Sequence, residues 1–392
     1  MSVDALEVPA PVVRDVIALR RDFHAHPELG FEEVRTAGIV AERLRALGYQ
    51  VRTGVGQTGV LGILRSQRPG KTILLRADMD CLPIDERSGV EFSSTVAGKM
   101  HACGHDGHTA MLLGAAQMIM ERRDLIHGTI VLCFQPAEEG KGGARAMIED
   151  GALDDPAVDR VYGLHLTSLY PTGQVLVRPG PVMASSDSIE VTIRGRGGHG
   201  AAPHQTVDPI VTSAYFIAQL QSVASRNVDP TEPAVVTIGA IHGGTIHNVI
   251  PDSVDLLGTV RAFSEAERAA MKPRIERVLS GCCDAAGAGY DYRYIDRYPI
   301  TVNDEKEAGY VHQLAVRTLG ERRLGHLAMT MGAEDFSFML QRRPGCFFFL
   351  GSQSDERTAV PHHNARFAID ERCLATGVQM MTALALDAPQ RP

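Results

Sequence analysis

Short apolar runs alternating with segments of helical period constrain this chain more than any other feature. GVLGIL (59–64), KTILLRAD (71–78), GTIVLCFQP (128–136) and DRVYGLHL (159–166) read as strands. Two of them are near-continuous hydrophobic stretches, of the kind buried on both faces of a parallel sheet. PVVRDVIALRRDFH (11–24) and EEVRTAGIVAERLRALG (32–48) carry apolar residues at helical spacing, the second ending at Gly48, a helix stop. TAMLLGAAQMIMERR (109–123) and GGARAMIEDGA (142–152) also read as helices. Strand and helix in alternation predict a doubly wound α/β layer with a mostly parallel sheet.

Near residue 184 the rhythm changes. DSIEVTIRGRG (187–197), AVVTIGAIHGG (234–244), DSVDLLGTVRAF (252–263) and YDYRYID (290–296) read as strands, with helices over 206–226 and 265–285. The order β-α-β-β-α-β is that of a ferredoxin-like unit. From about residue 301 the chain returns to helix, then the apolar strand GCFFFLG (345–351), then a terminal helix in ERCLATGVQMMTALAL. The expected architecture is a discontinuous α/β domain, residues 1–183 plus 301–392, interrupted by a smaller α+β domain at 184–300. A length of 392 residues suits two cores better than one.

Composition narrows the function classes. Hydrophobic residues at 44% and charged residues at 22% are those of a folded protein. A net charge of -8, with Lys and Arg scattered, offers no footprint for nucleic acid. No segment reads as a membrane span or a secretory signal, and seven cysteines without framework spacing fit a reducing compartment, so a cytoplasmic location is expected.

Ligands of an open α/β sheet bind beyond the carboxyl ends of its strands. Asp78 and Asp80 end one strand, Glu138 and Glu139 follow another, His165 lies in a third, and His362 and His363 follow GCFFFLG. The stretch MHACGHDGHT (100–109) precedes a helix. Any one of these has a bland reading. Cys103 and His105 suit a buried thiol beside a satisfied histidine, the two glutamates a solvated helix start, and His165 a core histidine bonded to backbone. A zinc knuckle would need a closed set of four, and no second Cys-x-x-Cys or His pair is present. Donors spread over several strand exits, with two adjacent carboxylates, indicate an open catalytic site in which one Glu binds metal and the other handles a proton.

The motifs HAHPELGFEE, LRADMDCLP, MHACGHDGHT, FQPAEEG, GLHL, GRGGHGAAPH, HNVIPD, MGAEDFS and HNARF occur here in the order seen in the M20 family of metallopeptidases and amidohydrolases. The chain resembles its subfamily D in particular, which includes hippurate hydrolases, aminoacylases and indole-acetyl-amino-acid hydrolases, over residues 20 to 385. The resemblance implies a pair of divalent ions per subunit, zinc or manganese, with cobalt and nickel also accepted by such a donor set. It implies Cys103, His105, Glu139, His165 and His363 as their ligands, with His363 selected over His362 by register against Phe367. Glu138 is implied as the catalytic base and Asp80 as an acid orienting a ligand histidine. His199 is implied as a further catalytic group that reaches the substrate, with Asn248 and Arg261 as substrate-binding residues. The resemblance also implies a lid and dimerisation role for the domain at 184–300, and a homodimer or higher homo-oligomer, since lid residues of such enzymes can come from the other subunit.

The activity so implied is hydrolysis of the amide bond of small N-acyl or N-aroyl amino acids. The alternatives are a dipeptidase or carboxypeptidase on the same scaffold, or a binding protein that retains the pocket without turnover, against which intact Glu138 argues. His101 and His108 are expected to brace the loop and helix, Asp106 to cap the helix or support a ligand, and Glu334 and Asp335 to serve either structure or site. Two positions depart from the subfamily pattern: Cys81 stands where alanine is usual, and Ala365 where proline is common. An exposed Cys81 thiolate would make the site sensitive to oxidation.

Overall fold

The computed structural model describes residues 6–392. These divide into two compact units, one of residues up to Val182, Val302–Ala328 and Asp335–Pro392, the other of Met183–Thr301 and Met329–Glu334. The sequence reading puts 329–334 with the larger domain. They group with the smaller unit because Thr330 bridges Met183 and its carbonyl accepts from the Ala184 N–H at 3.2 Å.

The larger unit is built on an eight-stranded sheet. Its order is Gln50–Val55, Gly59–Arg65, Thr129–Gln135, Thr72–Asp78, Arg160–Pro171, Gly345–Gln353, Val175–Val177, Leu324–His326. The four central strands are mutually parallel, while Gly59–Arg65 and Val175–Val177 pair antiparallel to their inner neighbours. The sheet is thus mixed, mostly parallel at its centre. Gln50–Val55, with two buried or half-buried apolar residues among polar ones, is a strand that apolar runs do not reveal.

Period-two alternation sorts the central strands between two layers of helix. Ile73, Leu75, Ile130, Leu132, Phe134, Leu164, Leu166, Phe348 and Leu350 join one core with the helices Ala10–Ala25, Val34–Leu47, His105–Met120, Glu305–Leu319 and Cys373–Asp387. On the other face, Cys133 Sγ meets Met147 of the helix Gly143–Glu149 at 3.7 Å, and Phe347 stacks near Phe336. Burial from both sides explains the unbroken apolar runs.

The smaller unit is a four-stranded antiparallel sheet, ordered Ala234–His242, Ser253–Ala262, Ser186–Arg194, Gly289–Tyr298, with the helices Pro209–Ser222 and Glu265–Ala286 packed on it. That order is the ferredoxin-like one. Asp208 and Ser264 cap the two helices through their side chains. Its core, including Ile189, Val191, Phe216, Leu256 and Leu279, is separate from that of the larger unit.

Candidate metal centre and catalytic site

Four parallel strands bring their carboxyl ends to one rim, where the donors collect. Thr109 Oγ1 donates to the Asp78 carbonyl at 2.8 Å and ties the helix His105–Met120 to the end of Thr72–Asp78. That helix begins after Gly104, which is left-handed at φ 87°, so Cys103 lies just outside it and His105 is its first residue. His105 Nδ1 donates to the Asp80 carbonyl at 2.9 Å, with Asp80 Oδ1 3.3 Å away. His165 Nδ1 donates to the Leu166 carbonyl at 2.6 Å. Each ring donates through Nδ1, which makes Nε2 the nitrogen that faces a metal, in His105 once its second proton has been given up. His165 Nε2 lies 3.5 Å from Cys103 Sγ.

Two donor groups share this thiol. Cys103 lies with His105 and Glu139 in one, and with His165 and His362 in the other, and within each the donor atoms lie within 4.8 Å of one another. Such groups fit two metal ions, with one sulfur available to both. Open atoms agree: His105 Nε2 and His362 Nε2 are buried without a hydrogen bond among the described residues. Leaving such atoms dry costs about 1–3 kcal/mol each, and a cation satisfies them together.

Electrostatics favour positive charge at the same place. Burial alone would push the His105 imidazole down, yet Asp78, Asp80 and Glu139 outweigh it and hold the ring up at about 10. A field that holds a proton there also favours a metal ion. His165 is pushed well below its usual value by burial, and His362 to about 3 by burial and neighbouring imidazoles, so both present neutral lone pairs.

His363 arrives from another side. Its backbone is left-handed at φ 61°, its N–H donates to the Ala102 carbonyl at 2.8 Å, and its Nε2 lies 3.1 Å from Glu139 Oε1. His362 is half-buried, stacks 5.3 Å from the His165 ring and puts Nδ1 3.6 Å from Cys103 Sγ. The structure therefore brings both histidines of the pair to the cluster, where register alone selects one. The left-handed residue that permits this leaves no mark in the sequence.

His108 is a brace. Its Nδ1 bonds Asp78 Oδ1 at 2.6 Å and its Nε2 accepts from the Leu166 N–H at 2.8 Å, so neither nitrogen is open to a metal. His101 departs from the bracing role expected of it. Both its nitrogens are buried without hydrogen bonds among the described residues, and burial pushes it down to about 4. Asp106 binds no cluster member; it pairs with Arg20 Nε at 2.9 Å and His24 Nδ1 at 2.8 Å, anchoring its helix to Ala10–Ala25.

Glu138 is buried, not a solvated helix start, and its turn is irregular: Ala137 is left-handed at φ 54° and Glu139 has a non-helical ψ of 76°. The Asp335 N–H approaches Glu138 Oε1 at 3.4 Å. Asp335 is itself held by Arg76 Nη2 at 3.2 Å, Gln135 Nε2 at 2.7 Å and the Ala144 N–H at 2.9 Å. Arg76, fully buried, also reaches Asp78 Oδ2 at 2.7 Å. Sequence reasoning left Asp335 between structure and site and did not single out Arg76. A charged residue inside the apolar run TILLRAD was the available signal. Asp80 Oδ2 accepts from the Glu139 N–H at 2.9 Å, so one carboxylate touches both His105 and the glutamate turn.

Cys81 does not meet the condition for oxidation sensitivity. It is buried, and desolvation first, with Asp80 beside it, pushes its thiol up to about 12. Ala365 uses its carbonyl to accept from the Arg87 N–H at 2.6 Å. No helix among the described residues is long and apolar enough to cross a membrane.

His199, Asn248 and Arg261 belong to the smaller unit, with Glu334. His199 pairs with Val249 in a short two-stranded ribbon, and the Gly200 N–H donates to the Asn248 carbonyl at 2.8 Å, so His199 and Asn248 are neighbours. Arg261 is elsewhere, on Ser253–Ala262 opposite Val235, with its guanidinium on Thr259 Oγ1 at 2.5 Å and burial lowering its pKa.

An α/β layer with thiol, imidazole and carboxylate donors for two ions, and a buried carboxylate at the next position, Glu138, has the make-up of a dinuclear metallohydrolase. The family model described as peptidase family M20/M25/M40 matches residues 74–387, and the chain belongs to that family. It is 43% identical over 378 residues to thermostable carboxypeptidase 2 of Saccharolobus solfataricus, covering 95% of this chain and 94% of that one. It is 43% identical over 326 residues to the N-acyl-L-amino acid amidohydrolase of Geobacillus stearothermophilus, covering 83% of this chain and 88% of that one. Among solved structures, a dinuclear metal-binding peptidase of the M20 family from Bacillus subtilis superposes with a TM-score of 0.84 at 34% identity, covering 96% of this chain and 98% of that one.

Proposed function

We propose that this chain is a metal-dependent amidohydrolase that cleaves N-acyl or N-aroyl amino acids to a carboxylic acid and a free amino acid. The observation that carries the reading is the buried Glu138 carboxylate next in sequence to Glu139, a member of the donor group on the shared Cys103 thiol. Cys103, His105, Glu139, His165 and His363 are the proposed ligands, and divalent ions held by them supply Lewis-acid polarisation of an amide carbonyl and acidify water. Glu138 takes the proton of the attacking water and returns it to the leaving amine nitrogen. Asp80 fixes the His105 ring. His199 donates to the carbonyl oxygen as negative charge develops there, and Asn248 and Arg261 bind the amino acid carboxylate. The protein is further proposed to act in the cytoplasm and as a homodimer; the dimer reading is supported by the edge strand Ala234–His242, whose outer side pairs with no other strand among the described residues.

The carboxypeptidase relative favours a second reading, peptide cleavage on the same scaffold. Amine release from N-benzoylglycine, N-acetylmethionine and a free dipeptide, by metal-stripped protein before and after adding Mn²⁺ or Zn²⁺, separates the two. Metal-restored cleavage of the acylated substrates alone is the expected result; cleavage of the dipeptide alone replaces the amidohydrolase reading with the peptidase one. A Glu138→Ala variant is expected to keep its metal and lose about 10²–10⁴ in rate.

A further inference from the structure

Glu33 directly precedes the helix Val34–Leu47, yet its side chain caps nothing there. It is fully buried and turned elsewhere. One carboxylate oxygen accepts from the Ala137 N–H at 2.8 Å and the other from Thr58 Oγ1 at 2.5 Å. Ala137 is the residue before Glu138, and it sits at φ 54°, ψ 43°, a left-handed conformation that a residue with a Cβ adopts only when its surroundings force it. The approach is close because Gly30 lacks a side chain: a Cβ there would lie 2.9 Å from Ala137 Cα. On the other side of Glu138, the Glu139 N–H ends on Asp80 Oδ2 at 2.9 Å. The backbone N–H groups at 137 and 139 both terminate on buried carboxylates, with Glu138 between them.

We infer that Glu33 is a positioning residue, whose carboxylate holds Ala137 left-handed and thereby aims Glu138. The inference rests on the reading of Glu138 as the proton carrier. What matters is reach: a glutamine at 33 still offers an oxygen to the Ala137 N–H and an amide N–H to the Thr58 hydroxyl, whereas an aspartate keeps the charge and falls short by a methylene.

The test is kcat and KM on the best acylated substrate, with metal content by elemental analysis and melting temperature for each variant. Glu33→Asp is expected to lower kcat about 10- to 100-fold with KM within about twofold and metal content unchanged, the scale at which small misplacement of a reacting group is felt. Glu33→Gln is expected to stay within about threefold of wild type. Adding Ala137→Gly to Glu33→Asp is expected to recover about tenfold in kcat, because glycine adopts φ 54° without being held there. A purely structural Glu33 would move stability and would not be rescued at position 137. Equal loss in Glu33→Gln and Glu33→Asp, or no recovery with Ala137→Gly, overturns the inference. Glu138→Ala, run alongside, separates the two ideas. Wild-type turnover there removes the reading of Glu138 and Glu33's role with it, while lost turnover there with unaltered kcat in Glu33→Asp removes Glu33 alone.

Discussion

Single residues at this site are set by what surrounds them more than by what they are. Glu33 is a carboxyl that burial, with Asp80 nearby and against the Thr58 hydrogen bond, raises from 4.5 to about 7. Its folded value lies above its unfolded one, so the folded state holds the proton more tightly. The stability it contributes is complete below about pH 4.5 and is lost as pH rises toward 7. Glutamine cannot ionise, so Glu33→Gln is expected to melt near wild type at pH 4.5 and above it at pH 8. At about 1.4 kcal/mol per unit the difference is on the order of 3 kcal/mol, an upper figure. Parallel melting curves at both pH values would sink the assignment. Cys103 answers to a different test. Because its sulfur belongs to both donor groups, Cys103→Ala is expected to reduce bound metal from two ions to one or none, and unchanged stoichiometry by elemental analysis would remove it as the shared ligand.

At the scale of elements, the helix His105–Met120 shows why function and packing converge. Fourteen of its sixteen residues are buried, so it is apolar almost all round. Gly114 lets two other helices close on it: a Cβ there would lie 2.4 Å from Val16 Cγ2 and 3.0 Å from Val378 Cγ2. Gly114→Ala is therefore expected to destabilise by about 1–3 kcal/mol in urea unfolding through overpacking. Gly38, inside Val34–Leu47, has nothing within 4 Å of a Cβ, and Gly38→Ala is expected to stabilise by about 0.5–1 kcal/mol. The same sign for both would show that packing does not decide these positions. Elements like this helix were legible in the sequence, as were the central strands, because each buries a periodic or continuous apolar surface. The strand Gln50–Val55 and the short Val175–Val177 and Leu324–His326 were not. They are held by pairing at sheet margins, and pairing leaves little trace in composition.

For the whole molecule, the sequence and its family resemblance proposed a donor set, and the structure brings its larger-unit members together at one rim. What stayed illegible was conformational: the left-handed Ala137 and His363, the two-sided reach of the His362 and His363 pair, and the turn of Glu33 away from its own helix. Side-chain direction depends on backbone dihedrals that single residues do not announce. The donor set also predicts how metal couples to the rest of the chain. A ring held up at about 10 must give up a proton to become a ligand, so binding releases protons and weakens as pH falls, by about tenfold per unit for each proton released. The gain in melting temperature on loading Mn²⁺ or Zn²⁺ is thus expected to be larger at pH 8 than at pH 6. Because each unit has its own core, hydrogen exchange is expected to register metal removal at 100–108, 136–142 and 362–366 in the larger unit, with protection of Ser186–Arg194 and Ser253–Ala262 in the smaller one unchanged. Loss of protection in both units together would mean that the metal stabilises the chain as one cooperative body, and equal melting temperatures with and without metal at both pH values would mean that the donor cluster is not its site.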